Sequence, residues 1–311
     1  MSSGALQAGK GRAMAALLLL CVLWALDGLA PDLFPALRRA PLPVFERLAI
    51  THAVLAVAAA AFAVKVRAGW PGIKAAFSWC GVGLLLFAAP AILVFAGQGW
   101  VPQLERVAIF SLTPLFAVVL EPHLGNVQQP ANRSLIAALI GFAGALAIFP
   151  LSVPGSPVAA LAVLAVLAAA VCVAVGNCTA IRMACTQPEV SLAAIAALAA
   201  GASAAVFAAV GIFTEGAHWQ MPHDAAELIW ILVVDVPALV LLFWLFRRMS
   251  AAQMTARYLI APWLTILAGI ALERPTVTMR MALGVVLLGI GAGWLLSAPE
   301  TETSGERIEI L

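Results

Sequence analysis

Asp27, Arg47, His52, Glu105, Arg106, Asp235 and Arg257 sit in stretches that are otherwise apolar. A charged side chain at mid-bilayer depth costs about 2.5–3.5 kcal/mol on insertion scales, so such residues face a cavity, a partner or a ligand. What they can do is bind and exchange. A carboxylate pairs with a guanidinium or takes up a proton, and a guanidinium holds an anion. Bond-making chemistry lacks its usual arrangements. His52, His123, His218 and His223 fit no H-E-x-x-H or other metal spacing. The chain has no G-x-S-x-G and no glycine-rich phosphate loop. Cys21, Cys80, Cys172, Cys178 and Cys185 form no paired C-x-x-C motifs and read as small apolar packers. Glu215, His218, His223 and Asp224 crowd one loop, which reads as an exposed polar connection. No metal, cofactor or enzymatic activity is therefore expected, and a membrane-embedded enzyme stays only as an alternative.

The elements that must position these residues are membrane spans. Of 311 residues, 64% are apolar and 10% charged, against about 25% charged in an average soluble chain. That balance indicates a polytopic membrane protein. A net charge of +2 without a basic arm gives no sign of nucleic-acid binding. A crossing takes roughly 20 apolar residues. Ten runs qualify: Met14–Phe34, Val44–Val64, Ala75–Ala96, Val101–Leu120, Leu135–Phe149, Val158–Cys178, Val190–Phe213, Leu228–Phe246, Met254–Leu272 and Met281–Ser297, the fifth being short. Lys10 and Arg12 before an apolar run, with Gly28–Pro31 as a cleavage-like site, imitate a signal peptide. The length of the run and the spans that follow favour a retained first span. With the N-terminus inside, ten Lys and Arg fall in inner loops and tails and four in outer loops, which predicts both termini in the cytoplasm.

At 1.5 Å per helical residue, Asp27 lies roughly two-thirds of the way outward, and Arg47, Glu105 and Arg106 lie just inside the outer ends of the second and fourth spans. His52 is one to two turns deeper than Arg47. One outer layer would gather Asp27, Arg47, His52, Glu105 and Arg106, with Arg106 paired to Asp27 and Arg47 to Glu105, because adjacent residues on a helix point about 100° apart. These pairs would hold an outer gate shut or open to a charged substrate, and a carboxylate among them could exchange a proton. Glu46 would snorkel to the outer interface. Asp235 falls near the midplane, two residues before Pro237, where a proline frees a carbonyl and polar groups gather. It reads as a substrate or proton site, or as a structural carboxyl. Arg257 and Tyr258 open the ninth span as an inner counterpart of the outer layer or as interfacial anchors. Asn177 and Thr179 read as interhelical hydrogen-bonders. Trp24, Trp230 and Trp263 line a cavity or pack.

Ten spans divide into five and five, and an odd unit repeated in one chain is inverted, the plan of many transporters. The fourth span and the ninth each have an arginine near the start, a proline within and a glutamate at the end. Arg106 to Glu121 is 15 residues and Arg257 to Glu273 is 16. Pro90 and Pro237 mark the third and eighth spans. Gly141 and Gly144, then Gly284, Gly289, Gly291 and Gly293, stud the fifth and tenth, where small residues allow close approach. Pro90, Pro114, Pro237 and Pro262 are the expected hinges. Glu121 and Glu273 would cap loops at opposite faces.

The stretch "LLFWLFRRMSAAQMTARYLIAPWLTILAGIALERP" (Leu241–Pro275) and its counterpart "FSLTPLFAVVLEPHLG" (Phe110–Gly125) resemble the drug/metabolite transporter superfamily, EamA type, over about Met14 to Ser297. Two features depart from that pattern: the short spacing from Pro114 to Glu121, and the acid of "WALDG" (Trp24–Gly28). The resemblance implies an all-α integral membrane fold of ten transmembrane helices in a 5+5 inverted repeat. Its parts would be a cytoplasmic N-terminal tail (1–12), a first five-helix repeat (13–150), a second (157–298) and an acidic cytoplasmic tail (299–311). The central cavity would be lined by the first four helices of each repeat. The implied function is secondary active transport by alternating access, with export of a small metabolite, amino-acid-like or amphipathic compound. Protons are a candidate coupling ion, a homodimer is one candidate assembly with the monomer left open, and a bacterial cytoplasmic (inner) membrane is the expected location. A lipid flippase and a non-transporting membrane scaffold are the alternatives.

Overall fold

In hydrocarbon every backbone N–H and C=O must be paired within the protein, and a helix does this within one segment. The long alanine, leucine and valine runs accordingly close into helices. A computed structural model describes residues 3–33, 42–124, 132–216, 225–273 and 277–297, and among these the chain forms helices and turns without a strand. The helical segments are α1 (Ser3–Leu33), α2 (Val44–Lys65), α3 (Ile73–Gly97), α4 (Gln103–His123), α5 (Asn132–Ile148), α6 (Pro157–Thr186), α7 (Leu192–Thr214), α8 (Ala226–Leu245), α9 (Ala251–Leu272) and α10 (Met279–Ser297). Among the described residues, nine are long and apolar enough to cross a membrane, and the shorter α5 is the tenth apolar helix. The protein is an all-helical, multi-pass integral membrane protein. Several boundaries differ from those read in the sequence. α1 begins at Ser3, so Lys10 and Arg12 lie within it, and α6 runs eight residues beyond Cys178 to Thr186.

Prolines account for the irregular helices. A proline ring clashes with the carbonyl four residues back. In α3 the residues Leu84–Ala88 form a π-helical turn, and Pro90 follows two residues on. In α8 the π-helical turn is Ile231–Asp235, and Pro237 again follows two residues on. In each the carbonyl that would be struck, that of Leu86 or Val233, falls inside the wider turn, which carries it out of the ring's way.

α4 and α9 are each built of two pieces. α4 breaks at Ser111–Leu112, between Gln103–Phe110 and Thr113–His123. Pro114 therefore sits in the first turn of a new helix, where a missing N–H costs nothing, rather than inside a continuous span. α9 breaks at Ala256, between Ala251–Thr255 and Arg257–Glu273, and Pro262 lies inside the second piece. A buried hydroxyl marks both breaks. Ser111 Oγ donates to Ala108 O (2.5 Å), and Thr255 Oγ1 donates to Ala251 O (2.7 Å).

Helix contacts recur with an offset of five. α3 packs on α6 and α7 as α8 packs on α1 and α2; α4 packs on α6 and α5 as α9 packs on α1 and α10. α2 meets α7, α4 meets α9, and α5 meets α10. The α4–α9 contact includes the expected cap: Glu121 Oε1 accepts the Ala251 N–H at 3.3 Å. The side chain of Glu273 lies outside the described residues. Arg247 closes the end of α6, its guanidinium donating to the carbonyls of Ala184 (3.2 Å), Gln187 (3.1 Å) and Val190.

α5 and α10 touch backbone to backbone. A Cβ at Gly144 would lie 2.5 Å from Leu288 N and 2.8 Å from Gly284 O. Gly144→Ala should therefore force the helices apart and destabilise by about 1–3 kcal/mol. Gly269→Ala, where a Cβ meets nothing within 4 Å, should be neutral or slightly stabilising, as expected for alanine over glycine in a helix. Thermal unfolding of the two purified variants checks this, and equal stability of both would refute the tight contact.

Candidate functional site

Arg47 lies in the first turn of α2, and its long side chain reaches toward the middle of the bundle. There it meets Asp235, whose backbone is the last residue of the π-turn of α8. Arg47 Nη2 lies 2.9 Å from Asp235 Oδ2 and 3.2 Å from Oδ1, and Nε is 3.3 Å from Oδ2. The same Nη2 contacts Asp27 Oδ1 of α1 at 2.5 Å. Trp230 Nε1, one and a half turns before Asp235, donates to that same Asp27 oxygen at 3.2 Å. One guanidinium thus ties together α1, α2 and α8. Its side chain is 30% exposed, against 42% for Asp27 and 16% for Asp235. The cluster is half-buried rather than sealed. Two carboxylates face one cation, so one negative charge is in excess when both are ionised, and one proton or one bound cation would balance it.

A second cluster lies one helical turn along α1 from Asp27. The Trp24 ring is 5.8 Å from that of Tyr258, and Tyr258 stacks on Phe110 at 5.8 Å. The Arg257 guanidinium lies 5.2 Å from the Trp24 ring and 4.8 Å from that of Tyr258, within cation–π range. Arg257 is 1% exposed. Its Nη1 and Nη2 both donate to Asn177 Oδ1 at 3.1 Å, and Nη1 also donates to Met254 O at 2.6 Å, a carbonyl left over at the break in α9. The break thus both exposes an acceptor and places the arginine beside it.

The expected outer layer therefore divides. Asp27 and Arg47 do meet, but they meet each other and Asp235. Glu105 does not hold Arg47; it accepts from Ser152 Oγ at 2.6 Å in the connection after α5. Arg106 does not pair with Asp27, and its Nε is buried without a hydrogen-bond partner among the described residues. Both lie in the short first half of α4, Gln103–Phe110, and depth along a span does not fix the rotation of a side chain about the helix axis. His52 leaves the charged layer altogether. It is 3% exposed, donates from Nδ1 to Leu48 O at 2.8 Å, and packs edge-on to Phe87 (4.9 Å) and Phe207 (5.1 Å). Glu46 is buried rather than snorkelling, with its N–H bonded to Glu215 Oε2 at 3.3 Å. Trp263 donates to Val285 O at 3.1 Å and joins α9 to α10. Asn177 is an interhelical hydrogen-bonder as expected, and its partner is the buried Arg257. Phe110 was not anticipated, since one phenylalanine in an apolar run carries no signal. His218, His223 and Asp224 lie outside the described residues, and no group of three or more potential metal ligands occurs among those described.

Comparison with known proteins bears on the fold alone. No family model matches the chain, and no curated protein matches it. One crystal structure, described only as that of a protein, aligns with a TM-score of 0.72 at 20% identity, covering 91% of this chain and 98% of its own. The helical arrangement therefore recurs in a crystallised protein at an identity too low to transfer a function.

A double-mutant cycle separates the observed pairing from the one the sequence implied. Arg47→Met and Asp235→Asn should couple by about 1–3 kcal/mol in unfolding free energy, since removing either leaves the other uncompensated. Arg106→Met and Asp27→Asn should show coupling near zero. The reverse ranking would refute this geometry.

Proposed function

We propose that the chain is a secondary active transporter that moves a small metabolite, amino-acid-like or amphipathic compound by alternating access, working as an exporter in a bacterial cytoplasmic membrane. The observation that carries the reading is the Arg47 clamp. It joins α1 and α2 of the first half to α8 of the second through a half-buried ion cluster. A structural ion pair needs one partner on each side, whereas this one holds three helices through two carboxylates and leaves room for a proton or cation.

The architecture proposed is ten spans in two inverted five-helix repeats with both termini cytoplasmic. Its supports are the contacts that recur with an offset of five, the π-turn and proline shared by α3 and α8, and the breaks shared by α4 and α9. The drug/metabolite transporter resemblance of the α8–α9 region agrees with it. In that orientation the Arg47 end faces outward, so the clamp closes the outer mouth and its release opens it. The π-turns and breaks are the hinges, because they are places where the helix ladder is already incomplete.

Proteoliposomes preloaded with amino acids, nucleosides, organic cations or organic anions test this by counterflow of the labelled compound. One class should exchange saturably. Asp27→Asn and Asp235→Asn should each slow exchange about tenfold or more, consistent with loss of a charged hydrogen bond of about 1.5–3 kcal/mol. Lipid scrambling without solute exchange would replace this reading with a flippase, and the absence of both fluxes would leave a scaffold.

A further inference from the structure

Arg257 carries a positive charge that no carboxylate meets among the described residues. A guanidinium has two hydrogen-bonding forks, one between Nη1 and Nη2 and one between Nε and Nη2. Asn177 Oδ1 is 3.1 Å from both Nη atoms, so it occupies the first fork. Met254 O takes a further Nη1 proton. The second fork has no acceptor: Nε is buried without a hydrogen-bond partner, and no bond from Nη2 other than that to Asn177 occurs among the described residues. A side chain 1% exposed that keeps its carboxylate-shaped edge empty forgoes a strong interaction in a low-dielectric setting.

We propose that this edge binds the carboxylate of the transported compound, and that the substrate is a monocarboxylate with an apolar or aromatic body. The Nε–Nη2 edge matches a carboxylate in two parallel hydrogen bonds. One uncompensated guanidinium balances one negative charge. Trp24, Tyr258 and Phe110 supply an aromatic wall for the rest of the molecule. The inference rests on the transporter reading in one respect: the edge is closed to solvent here, and opening of the bundle gives access to it. Trp24 lies one turn along α1 from Asp27, so release of the Arg47 clamp leads toward this edge.

The test is direct binding to the detergent-purified full-length chain, followed by thermal unfolding and calorimetry. The probes are phenylacetate, its neutral amide phenylacetamide, and phenylethylamine. Phenylacetate should bind saturably, and the amide and amine at least about tenfold more weakly, the equivalent of 1.4 kcal/mol. Arg257→Lys keeps the charge but loses the fork and should weaken phenylacetate binding; Arg257→Gln should abolish it. Asn177→Asp guards against variants that simply fail to fold. It places a carboxylate on the occupied fork at the cost of the Asn177 Nδ2 bond to Val173 O (2.7 Å), so it should still fold while weakening phenylacetate binding about tenfold. If Arg257 only ties the α9 break to α6, Asn177→Asp will leave phenylacetate binding and the ranking of the probes unchanged, which overturns the proposal. A preference for the amine or the amide, or no binding of any probe, also overturns it. Counterflow of other solutes in that case would leave the transporter reading standing, while failure of all solute flux would remove that reading independently.

Discussion

A guanidinium buried among helices must find acceptors, and where Arg47 finds them decides which helices stay together. Its head lies between Asp27 of α1 and Asp235 of α8, while its own backbone belongs to α2. Asp235, the more buried carboxylate, is left without its counter-charge if the cation is removed, and the cation loses its acceptors without the carboxylates. The three helices are therefore held by an interaction that is strong when intact and costly when half-made. In the proposed transport cycle such an element would have two states, closed with the cation held by both carboxylates, or open with the charges given to water, a proton or a ligand.

The backbone supports this choice. Asp235 ends a π-helical turn that accommodates Pro237, and Arg257 follows directly on the break in α9. At both positions the regular ladder is interrupted, and at both a charged side chain appears. Arg257 takes a carbonyl of the interrupted turn as its acceptor, so the irregular backbone and the buried charge stabilise each other. The regular helices do the opposite work. α5 and α10 meet through glycines, and at the two ends of the contact Arg133 lies over Trp294 and Arg280 donates to Leu146 O, an arrangement that ties the pair together along its length.

Much of this was legible in the residue types. Ions within apolar runs marked Asp27, Arg47, Asp235 and Arg257, because hydrocarbon makes a buried charge expensive and therefore purposeful. The shortness of α5 and the glycines of α5 and α10 were equally plain. What could not be read was who meets whom. Arg47 and Asp235 are separated by 188 residues, and depth along a span ranks candidates without choosing a rotation about the helix axis. Depth alone puts Glu105 and Arg106 in the charged layer, but depth does not say which neighbours their side chains face. Glu105 bonds to Ser152 in the connection after α5 instead. His52 looked polar in a list of residues, but its neighbours Phe87 and Phe207 come from helices far away in sequence. The prolines at 90 and 237 were visible, yet the wider turns that absorb them were not.

The most direct measurement is the distance between α2 and α8 with and without the clamp. Val44 and Ile229 are exposed residues near Arg47 and Asp235 along their respective helices. Spin labels at Val44→Cys and Ile229→Cys, with the native cysteines replaced, report that separation in lipid vesicles by pulsed electron resonance. The intact protein should give one dominant short distance, and Arg47→Met should add a longer population as the outer mouth opens. A single unchanged distance in both proteins would mean that Arg47 merely fills its place in the bundle and gates nothing.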